Sequence, residues 1–325
     1  MKKILVIQTA FLGDVVLSTA LVEQLHASFP DAQISMLIRN GNEGLLKEHP
    51  FLSKVYVWKK NQNKLSSMME ILRAIRHEHF DLVVNLQRFF SSGIFTAFSN
   101  GVTTVGFDKN PLSFLFTRKV RHVIGDGRHE IDRNAELIAS ICKVGRMLPR
   151  LYPSETNDVR TQPYKGRPYV TMAPASVWFT KQLPESKWVA LLKNISSQKQ
   201  IFLVGGPDDA GLCDRIIHQS GISQAVNLCG KLNLLDTVSL MRDAAMNYVN
   251  DSGPLHLASS VNAPVTAFFC STIPAFGFGP LSERSTVLEV KAKLDCRPCG
   301  LHGKTSCPQG HFRCGFDIEL PSMPD

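Results

Sequence analysis

The feature that most restricts what this chain can fold into is an alternation: short, largely apolar runs, each followed after a turn by a longer amphipathic run. Runs without polar alternation are strands buried on both faces, which implies a parallel sheet covered by helices. Residues 4–7, 34–38, 54–58 and 82–86 are such strands in the first half. Helices are expected over residues 15–28, where Val16, Ala20 and Leu21 share a face, and over about 44–48, 65–78, 91–99 and 130–144. A second series starts with a strand at 169–173. It continues with a helix after Pro184, a strand at 201–204, a helix at about 208–219, a strand at 225–228 and a helix at 234–242. A strand through Tyr248 and Val249 then runs into a further helix. Between Leu148 and Pro168 the period dissolves and four prolines appear, so 151–168 reads as a linker. The expected fold is α/β: two doubly wound, Rossmann-like domains, 1–150 and 169–325, facing each other across a cleft.

Composition narrows the setting. No apolar run reaches the roughly 18 residues of a spanning helix, and the N-terminal MKKILVIQTAFLGDVV breaks at Gly13-Asp14 before it could form a signal peptide. A cytoplasmic protein is expected. The formal charge of +8 points to an acidic partner, whether nucleic acid, an anionic membrane surface or a phosphorylated substrate. Eight cysteines, four of them within 296–314 and the rest scattered, do not make a secreted disulfide scaffold.

Ligands of such folds bind at strand-to-helix turns on the carboxyl edge of the sheet. In NYVNDSGPLHLASS (247–260) a strand meets Asn250-Asp251-Ser252-Gly253, and Pro254 sits where a first helical turn tolerates a missing N–H. The free amides of that helix and its dipole suit an anion such as a diphosphate, Gly253 permits close approach, and His256 falls on the first turn. An ordinary capped helix is the alternative. In Thr9–Asp14, Asp14 either caps the helix or faces the cleft as a general base. Lys181 stands close enough to a strand end to reach a phosphate; a lone surface lysine is the plainer reading. In Val204-Gly205-Gly206-Pro207-Asp208-Asp209 a carboxylate could meet ribose hydroxyls or merely cap a helix. No G-x-G-x-x-G follows a strand, Gly303-Lys304-Thr305 lacks the rest of a P-loop, and no Asp-x-Asp pair holds a divalent ion. Leaving-group charge would therefore fall to backbone amides and protein cations.

Three segments, Leu12-Gly13-Asp14-Val15-Val16-Leu17-Ser18-Thr19, Lys181-Gln182-Leu183-Pro184-Glu185-Ser186-Lys187-Trp188 and Asp251-Ser252-Gly253-Pro254-Leu255-His256-Leu257-Ala258, lie far apart in the chain. In order and spacing they resemble the signatures of the ADP-heptose:lipopolysaccharide heptosyltransferases, glycosyltransferase family 9, whose fold is GT-B. The family usually has Trp where Leu183 stands and Thr where Ser252 stands; the second replacement keeps the hydroxyl. The resemblance implies an acceptor-binding N-terminal domain and a C-terminal domain that binds ADP-L-glycero-β-D-manno-heptose. It implies Asp14 as base in an inverting transfer, with Lys181 assisting, and no cofactor or catalytic metal. Gly13, Ser176, Lys181, Asp209, Asp251, Ser252, Gly253 and His256 would meet the donor. The acceptor would be a lipid-linked, phosphorylated inner-core glycan, placing the enzyme peripherally on the inner face of the inner membrane. Another nucleotide sugar or glycan, or a basic nucleic-acid-binding protein, are the rival readings.

For the acceptor, Arg88 follows a strand end, and Arg118, Lys119, Arg121, His122, Arg128, His129 and Arg133 crowd one segment. They form either a phosphate clamp or a solvated face. Finally, Cys296, Cys299, Cys307 and Cys314 have the ligand count of a structural zinc site, with His302 and His311 as substitutes; free or paired thiols are the alternatives.

Overall fold

The structure is a computed structural model describing residues 1–60, 62–195 and 198–321. The last four residues of the expected 169–325 domain, and 196–197 within it, lie outside the described residues. The chain divides into two compact units, Met1–Tyr152 and Pro153–Asp325.

The first unit runs β1 (Lys3–Gln8), α1 (Leu12–Ser28), β2 (Gln33–Arg39), β3 (Leu52–Trp58), α2 (Lys64–Glu78), β4 (Leu82–Asn85), α3 (Phe90–Ala97), β5 (Thr103–Phe107), β6 (Arg118–Val120) and α4 (Glu130–Glu136). Its six parallel strands lie in the order β3-β2-β1-β4-β5-β6. Ile4 is in register with Ile34 on one side and Leu82 on the other. Residues 4–8 are buried throughout, as a strand flanked on both edges and covered on both faces must be. The strands β5 and β6 were not legible in the sequence. Thr103-Thr104 opens β5 with polar residues, and β6 is a three-residue edge strand whose Arg118 and Lys119 deter further pairing. The helix expected over 130–144 ends at Glu136. Beyond it tight turns continue, with the Ile138 amide bonded to the Ala135 carbonyl and the Cys142 amide to that of Ile138.

The second unit runs α5 (Glu155–Thr161), β7 (Tyr169–Ala173), α6 (Glu185–Lys193), β8 (Gln200–Leu203), α7 (Ala210–Ser220), β9 (Ala225–Asn227), α8 (Leu234–Arg242), β10 (Met246–Asn250), α9 (Gly253–Ser260), β11 (Val265–Phe269), β12 (Ser285–Glu289) and α10 (Arg313–Phe316). Its parallel strands lie in the order β12-β11-β10-β7-β8-β9. The stretch read as a linker therefore needs correction, because it carries α5. A capping box between Ser154 and Asn157 opens this helix. It docks on α8 through hydrogen bonds: Asn157 Nδ2 donates to Asp236 Oδ1 at 2.7 Å, and the Thr161 and Ser239 hydroxyls meet at 2.8 Å. A helix held by polar contacts shows no apolar period.

The two sheets share one topology. In each, the first strand and the fourth are neighbours with connections leaving in opposite directions: β1 beside β4, and β7 beside β10. A crevice opens at the carboxyl ends of such a strand pair, and ligands bind there.

Candidate active site

In the second unit the crevice lies between the ends of β7 and β10. Asn250, the fully buried last residue of β10, governs its shape. Its Oδ1 accepts the Leu183 amide at 2.9 Å, while its Nδ2 donates to the Pro174 carbonyl at 2.8 Å. One side chain thus pins both ends of the loop that follows β7. Within the loop, Gln182 Nε2 donates to the Ser176 carbonyl at 2.6 Å, and a 3-10 turn, Phe179–Lys181, presents Lys181. Lys181 Nζ lies 2.7 Å from Asp251 Oδ2. The lysine side chain keeps 17% of its exposure and the carboxylate 5%, and the same oxygen accepts the Thr272 hydroxyl at 2.5 Å.

Asp251 immediately precedes the N-cap of α9, Ser252, whose side chain caps no amide. Pro254 occupies the first turn, which holds no acidic residue. Pro254 has no N–H and the Leu255 amide already donates to the Ser252 carbonyl at 3.1 Å, so that end of α9 offers the Gly253 amide and a positive dipole. The Lys181–Asp251 pair puts a cation beside it. Lys181, Asp251, Ser252, Gly253 and the buried His256 on the first turn of α9 therefore gather at one crevice, with Ser176 on the loop above it. Asp209 is engaged elsewhere: its Oδ2 accepts the Gly206 amide at 2.8 Å, closing its own turn, while Asp208 is exposed.

The Gly303-Lys304-Thr305 stretch backs Lys181. Lys304 N–H donates to Thr180 Oγ1 at 2.8 Å and the Lys304 carbonyl accepts the Thr180 amide at 3.1 Å. A Cβ on Gly303 would fall 2.5 Å from Trp178 Cβ and 2.8 Å from Lys181 Cγ. Arg297 fastens the same tail to the end of β11, donating to the Cys270 and Thr272 carbonyls, each at 2.6 Å. Asn250, Thr272, Thr180 and Gly303 thus shape the crevice, and none was assigned a role from sequence. Asn250, Thr180 and Gly303 stood within stretches singled out for other residues or set aside as a decoy; Thr272 stood in none.

For the zinc expectation, no group of three or more His, Cys, Asp or Glu among the described residues is arranged to hold a metal ion. All four thiols are free. Cys314 is buried in the hydrophobic core of the unit, where burial above all pushes its thiol up to about 11, and Cys296 Sγ stands 3.9 Å from His311 Nε2.

In the first unit the crevice lies between β1 and β4. Gln87 Nε2 donates to Gln8 Oε1 at 2.5 Å across it, and the same oxygen accepts the Ala10 amide at 3.3 Å. The turn leads to α1, whose N-cap is Phe11; Gly13 and the partly exposed Asp14 follow at its second and third positions. Asp14 is therefore not the cap residue, and it stands where the helix dipole favours a carboxylate.

The basic segment disperses. Arg128 pairs with Asp126 at 2.7 Å and with Glu136. Arg133 is buried against Glu130 at 2.7 Å and donates to the Arg128 carbonyl. His129 caps α4 by accepting the Ile131 amide. Arg118, Lys119 and Arg121 are exposed. Arg88 and His122 stay by the carboxyl ends of β4 and β6: burial foremost, then the Arg88 and Arg133 guanidiniums, push the His122 imidazole down to about 4.

Comparison with known proteins bears on the family and the fold. The sequence model of the family described as Glycosyltransferase family 9 (heptosyltransferase) matches residues 68–306. A lipopolysaccharide heptosyltransferase 3 of Escherichia coli is 23% identical over 81% of this chain and 82% of its own length. Among solved structures, E. coli ADP-heptose lipopolysaccharide heptosyltransferase II superposes with a TM-score of 0.77 at 22% identity, covering 92% of this chain and 96% of that one. E. coli heptosyltransferase WaaC with ADP-2-deoxy-2-fluoro heptose does so at 0.68 and 18%, covering 88% and 92%. The fold is GT-B.

Proposed function

The chain belongs to glycosyltransferase family 9, the heptosyltransferases, and from that premise we propose that it transfers heptose from ADP-heptose to the inner core of lipopolysaccharide, with inversion at the anomeric carbon. The observation that carries the reading is the Lys181–Asp251 pair at the N-terminus of α9. The donor's diphosphate takes the Gly253 end of α9, with its positive dipole, and the ammonium of Lys181. Asp251 is a positioning residue that holds Lys181 in place until the diphosphate arrives.

Asp14 acts as the base. An acceptor hydroxyl oxygen attacks the anomeric carbon from the face opposite the diphosphate and gives its proton to the Asp14 carboxylate. The bond from that carbon to the diphosphate oxygen breaks, and ADP departs with the electron pair. Charge growing on the leaving oxygens falls on groups already in place, which is where electrostatic preorganisation contributes most. The acceptor is lipid-linked and phosphorylated and reaches the first unit near Arg88. Arg118, Lys119, Arg121 and Arg128 belong to the same basic surroundings, although Arg128 already holds two carboxylate partners.

The direct test measures ADP release from purified protein with a soluble inner-core saccharide and a panel of nucleotide sugars. Mass spectrometry of the lipopolysaccharide core from a strain lacking the protein complements it. The expected results are a preference for ADP-heptose and a core missing heptose. Turnover confined to another nucleotide sugar, or an unaltered core, overturns the reading.

A further inference from the structure

The first unit leaves an unusual surface open. Phe89 and Phe90, at the start of α3, are 58% and 56% exposed, and Phe114, in the 3-10 turn Ser113–Leu115, is 71% exposed beside the exposed Leu115. These two segments are neighbours. Asn110 Nδ2 donates to the Phe89 carbonyl at 3.0 Å and Asn110 Oδ1 accepts the Leu112 amide at 3.0 Å. A Cβ on Gly93 of α3 would meet Leu112 Cβ at 3.1 Å, so no side chain of that residue parts them. Soluble proteins scatter exposed aromatic residues singly; a group of them marks an interaction surface.

The surroundings are cationic. Lys109, Arg118, Lys119 and Arg121 are exposed, and among the described residues none of them enters an ion pair. We propose that this face, the start of α3 with residues 109–121, docks on the surface of a bilayer containing anionic phospholipid. Aromatic side chains enter the headgroup boundary while the flanking cations meet lipid phosphates. Charge selects this occupant over a second copy of the chain, since a two-fold contact would set these cations against themselves. The docked face continues into Arg88, which adjoins Phe89, so an acceptor anchored in the bilayer meets the crevice at its headgroup. The inference rests on the reading of a lipid-linked acceptor, and its test uses vesicles that contain none.

Cosedimentation would be measured with phosphatidylcholine vesicles, with and without phosphatidylglycerol, at low and high salt. The expected result is binding only to the anionic vesicles, weakened at about 0.5 M salt as screening shortens. Each cation near the surface multiplies binding about fivefold. The double variant Phe114→Asp, Leu115→Asp should lose at least about tenfold in partitioning while turning over a soluble acceptor like the parent. If that variant unfolds, Phe90→Ser replaces it. Equal binding to neutral vesicles, or undiminished binding by a folded variant, overturns the proposal. So does a concentration-dependent dimer that the variant dissolves, or tight oligonucleotide binding without vesicle binding. Failure of the parent to turn over any soluble acceptor would instead count against the proposed reaction and leave the vesicle result standing.

Discussion

The two units solve the same topological problem with different chemistry. Each opens a crevice between its first and fourth strands, and each bridges it with one side-chain pair. In the first unit the bridge is neutral, Gln87 to Gln8 at 2.5 Å. In the second it is charged, Lys181 to Asp251 at 2.7 Å. The helices that follow differ in the same sense, since α1 carries Asp14 in its first turn whereas α9 carries no acidic residue there. A carboxylate at a helix N-terminus repels an anion and can accept a proton; a helix N-terminus without one, beside a lysine, attracts an anion. On the proposed reading, one backbone plan receives a hydroxyl in one unit and a diphosphate in the other by changing which charge stands in the first helical turn.

The sharpest way to break the comparison is Asp14→Asn. Loss of the base should cost about 10² to 10⁴ in turnover while donor affinity, measured by calorimetry, stays at the parent value. Turnover within tenfold of the parent would remove Asp14 from the mechanism. Lys181→Ala should do the complementary thing, weakening donor binding and lowering kcat together by about 10² to 10³, as removal of one preorganised donor does. If Lys181 and the N-terminus of α9 carry the diphosphate as proposed, the parent's activity should survive excess chelator. Strict dependence on added Mg²⁺ or Mn²⁺ would show that the leaving group is met differently.

Acid should separate the units. His49 and His122, both in the first unit, are held down to about 4 chiefly by burial. Unfolded histidines titrate near 6.5, so between these values the unfolded state binds protons that the folded state refuses. Stability present above pH 6.5 should therefore drain away as pH falls towards 4, by at most about 3 kcal/mol per histidine. Glu23, whose pKa burial raises, works the other way and offsets part of the loss. Urea melts followed at several pH values should show the first unit weakening first. His49→Gln should shrink the slope, and an unchanged slope would dissociate His49 from it.

The smallest effect is expected from Gly303→Ala. The added methyl presses on Trp178 and Lys181, at a cost of about 1–3 kcal/mol if the tail yields by small shifts. Its diagnostic sign is a KM for the donor that rises more than kcat falls. Parent-like values of both would show that the tail does not set the position of Lys181.

Much of this was legible in the sequence because its signals are local. The strand over Tyr169–Ala173 and the helix over Leu234–Arg242 have the boundaries that periodicity assigns. The turns bearing Asp14 and Gly253 follow from a strand, a Gly and a helix start within a few residues. Where the period failed, the cause was chemical: α5 is held by amides and hydroxyls, and β6 is too short to show an alternation. Within the basic segment, proximity in sequence hid that Arg128 and Arg133 already had carboxylate partners.

By itself, then, the sequence determined the succession of buried strands and covering helices, and with it which turns lie on the carboxyl edge of each sheet, because burial on both faces writes itself into consecutive residues. Only the tertiary structure decided what stands at those turns. The Leu183 amide meets Asn250, Thr272 meets Asp251, and the Thr180 hydroxyl meets Lys304 across 124 positions of chain. A hydrogen bond between residues that far apart is fixed by the packing of whole strands, so it leaves no period, spacing or composition for a linear reading to find.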